Sequence, residues 1–166
     1  ILNHWGGKPL PISACAWAEG DLGVRLSGAA SAVKAAREAI GGESIEPGQA
    51  ERFWLGIREQ TDPFFGIGKP LWRLSVPSFT PPLALPGEQL IEWGGSLRWL
   101  ASNADARTVR EAAAQAGGHA TLFRATDKSA GVFAPLQPAL AGIHRKLKQA
   151  FDPAGIFNPG RMYPDL

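Results

Sequence analysis

Cysteine occurs once in this 166-residue chain, at Cys15. A lone thiol excludes an internal disulfide and fits a reducing compartment. No apolar run approaches the ~20 residues that span a bilayer as a helix, and no signal-peptide pattern opens the residues given. Charge of one sign is also lacking. Seventeen Lys and Arg stand against fifteen Asp and Glu, a net +2, too little to argue for a nucleic-acid or membrane partner. HRKLK at 144–148 is the one basic run and reads as the wet face of a helix. The three histidines, His4, His119 and His144, stand far apart with no metal-ligand spacing, so no metal site is expected. GxSxG and G-x-G-x-x-G are missing, and GIGKP lacks the spacing and the Ser or Thr of a phosphate loop.

What is present is a chain with 45% hydrophobic and 19% charged residues, the balance of a well-buried globular domain. PISACAWAEGDLGVRLSG reads as a β-hairpin with Glu19-Gly20 at its tip. Its register pairs Trp17 with Leu22, Cys15 with Val24 and Ser13 with Leu26. The face holding Cys15, Trp17, Leu22 and Val24 is the expected core side. The other face, with Ala14, Ala16, Gly23 and Arg25, is nearly bare and suits close approach of another layer. Helices are predicted over about 29–40, with Ser27 as a possible N-cap, and over about 48–59, with Pro47 near the first turn.

LWRLSVP is a strand. LIEWGGSLRWL is a second hairpin with Gly94-Gly95 as a two-residue loop, Ile91 opposite Arg98 and Trp93 opposite Ser96. DARTVREAAAQAGG is a helix, HATLFRA a strand, and LQPALAGIHRKLKQAF an amphipathic helix with Leu140, Ile143, Leu147 and Phe151 on one stripe. Hairpins joined through helices predict an α+β domain: an antiparallel sheet with helices on one face. GKPL recurs at 7–10 and 68–71, each time before a strand. That is consistent with a duplicated ferredoxin-like half, and equally with chance.

Alternation in LWRLSVP sets Trp72, Leu74 and Val76 toward a core and turns Arg73 to the opposite face. Arg25, Arg98 and Trp93 are candidates to share it. Scattered solvent-facing arginines are the plain reading. The sharper one is an anion site, because guanidinium forks match carboxylates. Cys15, on the core face, is expected to be an inert buried thiol.

The last 16 residues, FDPAGIFNPGRMYPDL, hold three prolines, two glycines and three aromatics, a composition that pins a segment down. IHRKLKQAFDPAGIFNPGRMYPDL resembles the end of FAD-linked oxidases of the vanillyl-alcohol-oxidase type, in which a last helix runs into a D-P-x-G-I-F/L-N-P-G-R/K turn. The match falls on Asp152, Pro153, Gly155, Ile156, Phe157, Asn158, Pro159, Gly160 and Arg161. LNHWGGKPLPISA, VRLSGAASAVKAARE, LWRLSVP and EWGGSLRWL resemble the branch formed by the FAD-binding (E) subunits of bacterial glycolate oxidases, so the likeness covers essentially the whole chain.

The resemblance implies a ferredoxin-like cap domain over residues 1–150 and a C-terminal segment, 151–166, that returns to an FAD domain outside this sequence. The opening, which lacks a methionine, carries the same expectation of a domain from a longer chain. FAD would be bound mainly by that N-terminal domain and not retained by this fragment, which would be inactive alone. Substrate binding falls to Arg73, with Arg98 and Trp93 beside it, and contact near the flavin to Asn158 and Arg161. No general base stands out. The implied activity is oxidation of glycolate to glyoxylate, with a D-type flavin subunit and an iron–sulfur subunit as partners. The implied location is the cytoplasm, peripheral at the inner membrane through the complex. A structural or electron-relay subunit is the alternative, and neither is separable from sequence. A ferredoxin-like nucleic-acid module is a third reading, but HATLFRA lacks the stacked aromatics of an RNA-binding strand.

Overall fold

The computed structural model describes all residues, Ile1–Leu166. Helix α1 (Leu2–Gly6) precedes strands β1 (Ile12–Ala18) and β2 (Asp21–Leu26). Helices α2 (Ala30–Ile40) and α3 (Pro47–Glu59) follow, then a 3-10 turn at Pro63–Gly66. Strands β3 (Leu71–Ser75), β4 (Glu88–Glu92) and β5 (Leu97–Ala101) come next, then α4 (Ala106–Gln115), β6 (His119–Arg124) and α5 (Pro138–Phe151). The six strands form one sheet in the order β2-β1-β4-β5-β3-β6, and every neighbouring pair is antiparallel. The class is α+β, as the order of periodicities predicts.

The first hairpin keeps the predicted register at Trp17↔Leu22 and Cys15↔Val24. Glu19 and Gly20 both take positive φ, 53° and 98°, the conformation a two-residue hairpin loop requires. Toward the open end the register slips by a bulge, so Leu26 faces Ile12 and not Ser13. Ser13 instead bonds Ser27 Oγ at 2.9 Å. Ser27 is therefore not the cap of α2; Ala29 holds that position with no side-chain bond.

The helices lie on both faces of the sheet, not on one. Trp72, Leu74, Leu100, Ala120 and Leu122 pack with Val109 and Ala113 of α4. Alternation turns Leu71, Leu90, Leu97 and Trp99 the other way, where they pack with Ile57 of α3 and Phe65. The reason is the bare face of the first hairpin. Gly23 lets α3 approach so closely that a Cβ added there would stand 3.2 Å from Phe53 Cε1. Cys15 is buried as expected, but its hairpin neighbours Trp17, Leu22 and Val24 are only half-buried.

The last helix differs more. α5 has the predicted stripe but buries none of its residues. Leu140, Ile143, Leu147 and Phe151 are all exposed, Phe151 by 82%. Behind it the tail folds back on α5 itself. Asp152 is the hub: its carboxylate accepts the backbone N–H groups of Ile156 (3.0 Å) and Phe157 (2.9 Å) and pairs with Lys148 Nζ at 2.6 Å. Lys148 also donates to the Phe157 carbonyl. Gly155, Asn158 and Gly160 take φ of 65°, 48° and 66°, which explains the residue types at those turns. Of the tail's apolar anchors, Tyr163 is seated, donating to the Ala134 carbonyl at 3.2 Å; Ile156 and Phe157 stay exposed.

The Lys148 hydrogen bond, with the two amides, holds the Asp152 carboxyl below its usual range. A depressed carboxyl stabilises the fold above its unfolded value, about 3.9, and loses that effect as pH falls through the folded value. Relative to its intrinsic rate at each pH, amide exchange at Ile156 and Phe157 is expected to be constant from about pH 5 to 8 and to accelerate below about pH 4. Asp152→Asn should accelerate it at neutral pH. Unchanged protection in that variant would remove the carboxylate as the hub of the turn.

Candidate functional site

An open groove of about 1250 Å³ runs along the sheet face that carries Arg73. Arg73, Glu92, Leu97, Trp99 and Phe123 form its floor; α3 supplies one wall through Trp54 and Ile57, and α1 another through Leu2 and Trp5. Four of the six tryptophans line it: Trp5, Trp54, Trp93 and Trp99. Aromatic surface interspersed with charged side chains, Arg73 and Glu92 among them, suits a small-molecule site.

Arg73 sits mid-strand, opposite Trp99 on β5 and Thr121 on β6. Its face was expected to be the one opposite the helices; instead α3 and Phe65 partly cover it and leave the groove. The guanidinium makes no hydrogen bond or ion pair and lies 5.9 Å from the centre of the Trp93 ring. Arg25 shares this groove, as expected, with its guanidinium 5.5 Å from the Trp54 ring and Nε donating to Ser13 Oγ at 3.0 Å.

Trp93 reaches Arg73 by a route other than the predicted one. The loop of the second hairpin runs over Trp93–Ser96, so Glu92 pairs with Leu97, and Ile91 keeps its predicted partner Arg98. Trp93 lies outside the ladder in left-handed backbone, φ 51°, with 68% of its surface exposed. That conformation is sparsely populated for a bulky side chain and clusters at binding sites. Gly95 holds the turn: at φ 104°, a Cβ there would meet the Ser78 carbonyl at 2.7 Å.

Arg98 is not in the groove. Its alternation places it on the opposite sheet face from Arg73, 3% exposed. It donates to the carbonyls of Gly95 (3.2 Å), Pro81 (2.8 Å) and Thr80. Those bonds tie the Pro-rich connection and the hairpin turn to the sheet, and leave no free fork for a ligand. Asn158 and Arg161 are exposed in the tail with no side-chain hydrogen bond, away from the groove lining.

Glu92 was not singled out from sequence. It shares a face with Leu90, Leu97 and Trp99, and a carboxylate on an apolar strand face needs a partner, which was the available signal. Its partner is the indole: Trp99 Nε1 donates to Oε2 at 2.7 Å. Burial pushes the Glu92 carboxyl up, against the Trp99 hydrogen bond and the charge of Arg73. Trp99 is held in turn by edge contacts with Phe65 and Phe123, ring centres 5.5 and 5.0 Å away. Burial also pushes the Cys15 thiol up, although Gly94 N–H donates to its sulfur at 3.0 Å. No group of three or more His, Cys, Asp and Glu side chains comes together in a metal-binding arrangement.

Residues 126–162, which contain the Asp152 turn, match the family described as FAD linked oxidases, C-terminal domain. Over 165 residues, 99% of this chain, it is 51% identical to the glycolate oxidase subunit GlcE of Escherichia coli (strain K12). This chain is similar to the FAD-linked oxidases. It spans about half the length of the curated relative it matches, 45% of that protein. No solved structure matches. What the groove offers is an unpaired guanidinium, which matches a carboxylate, set among aromatic side chains.

Proposed function

We propose that this chain is the substrate-side domain of a flavin-linked 2-hydroxy-acid oxidoreductase subunit that, in its intact form, oxidises glycolate to glyoxylate. The observation that carries the reading is Arg73, a half-buried guanidinium with no ionic partner, set in a groove walled by tryptophans. A guanidinium fork matches a carboxylate bidentately. Trp93 packs against the guanidinium and shields it. FAD, bound mainly by the part of the protein outside this chain, supplies the acceptor for the electron pair; Asn158 and Arg161 are the residues of this chain that would meet it. This chain's own part is to bind the carboxylate, orient the carbon beside it and keep water out. The partners are a second flavin subunit and an iron–sulfur subunit, in an assembly of the cytoplasm that lies peripherally at the inner membrane.

The test uses the reconstituted complex, with the FAD site of one flavin subunit disabled at a time. Glycolate is expected to bleach the flavin of this subunit when the other is disabled. Bleaching confined to the second flavin subunit would assign this chain an assembly or relay role.

A further inference from the structure

The proposed oxidation releases a proton as well as an electron pair, and the proton needs an acceptor. Arg73 cannot serve, since a guanidinium does not deprotonate in proteins. The groove holds no histidine and two carboxylates, Glu51 and Glu92. Glu51 is exposed on α3. Glu92 is different in three respects. It is half-buried on the floor of the groove, on the same sheet face as Arg73. Its Oε2 is fixed by Trp99 Nε1 at 2.7 Å, while Oε1 has no partner. Trp99 stands directly across from Arg73 in the β3–β5 register, so the indole that positions the carboxylate is the cross-strand neighbour of Arg73. Yet Glu92 and Arg73 form no ion pair. Each keeps a free end toward the same groove.

We propose that Glu92 accepts the hydroxyl proton of a 2-hydroxy acid whose carboxylate is held by Arg73. The inference rests on the reading of the groove as the substrate site. In such a molecule the carboxylate and the hydroxyl sit on adjacent carbons, so one end meets Arg73 while the other reaches Oε1. The O–H bond breaks and its proton bonds to Oε1. The Cα hydrogen would leave with its electron pair, as a hydride, to the FAD that the rest of the protein would hold, and the C–O bond would become a carbonyl. Glu92, then neutral, returns the proton to solvent. Burial already raises the proton affinity of Glu92 above that of a surface glutamate, which suits a base working near neutral pH. The charged or titratable groups around it are Arg73 from β3, Cys15 from β1, Arg25 from β2, Arg58 and Glu51 from α3, and Lys8. Of these, the charge of Arg73 favours the ionised form needed at the start.

Glu92→Gln in the full-length subunit within its complex is the test. Glutamine keeps an oxygen for Trp99 but is no base. Glycolate turnover, kcat, is expected to fall by about a hundredfold or more, with FAD content unchanged and oxalate affinity undiminished. Oxalate is a second readout that needs no turnover. It puts a carboxylate where glycolate has its hydroxyl, so its binding should drive proton uptake by Glu92, seen by calorimetry in buffers of differing ionisation enthalpy and absent in the variant. Glu92→Ala should regain turnover with added formate. Parental kcat in Glu92→Gln beside a slow Arg73→Met would overturn the Glu92 proposal and leave the groove as the substrate site. Parental rates in both variants would overturn that reading and the proposal together. Loss of oxalate affinity in Glu92→Gln, with no formate rescue of Glu92→Ala, would make Glu92 a structural residue and overturn its role as base.

Discussion

Arg73→Met, in the full-length subunit within its complex, is expected to lower kcat/KM for glycolate roughly tenfold to a hundredfold while FAD content stays at the parental level. The size follows from the contact that is lost. Hydrogen bonds to charged groups contribute about 1.5–3 kcal/mol, and each 1.4 kcal/mol is about a factor of ten. Methionine keeps the apolar length that packs under Trp93 and removes the fork. Folding should be little affected, because Arg73 holds nothing else in place: it has no hydrogen bond or ion pair in the fold. Arg73→Lys should recover only part of the loss, since a point charge cannot reproduce two parallel donors. Steady-state kinetics with flavin quantitation checks it. Parental kcat/KM in the methionine variant would leave Arg73 as a bystander and turn the weight to an assembly role.

The second large effect is on stability, at the other arginine of the same sheet. Arg98→Met should destabilise the domain by about 3–5 kcal/mol, since each buried carbonyl left without a donor costs about 1–3 kcal/mol. Arg98 is the sole side chain bridging Gly95, Pro81 and Thr80, whose carbonyls would lose their guanidinium donors. Burial also holds the Arg98 guanidinium below its usual range, a sign of how fully it is withdrawn from water. The measurement is a denaturant titration: the midpoint should fall with an unchanged slope. At a temperature where the variant stays folded, KM for glycolate should be close to parental. A variant of parental stability that has lost its affinity for glycolate would instead place Arg98 with the ligand, as the strand pattern alone suggested.

These two arginines mark the boundary of what pattern reading reaches. Each lies in a strand whose alternation is clear. In LWRLSVP it correctly separates Arg73 from Trp72 and Leu74, and in the second hairpin the reading correctly sets Ile91 opposite Arg98. What it cannot supply is which face of one strand continues which face of another. That depends on the order of pairing, here β5 beside β3, which puts Trp99 and not Arg98 next to Arg73. Glu92 stayed out of view for the same reason: its partner is reached only once β4 and β5 are in register.

The sequence by itself determined the class, the strands, four of the helices and the residue types of the Asp152 turn, because these follow from local rules. A period of two or 3.6 residues marks the element, and positive φ marks the glycines. Tertiary structure alone decided that helices cover both faces, since the bare hairpin face admits α3 at Gly23. It also decided that Leu2 and Trp5 of a short first helix, Glu92 and Arg73 share one groove, because residues that distant in sequence meet only through strand order. And it decided the fate of the last amphipathic helix. Its apolar stripe is plain in the sequence, but a stripe requires a covering surface without saying where it lies, and here it faces outward.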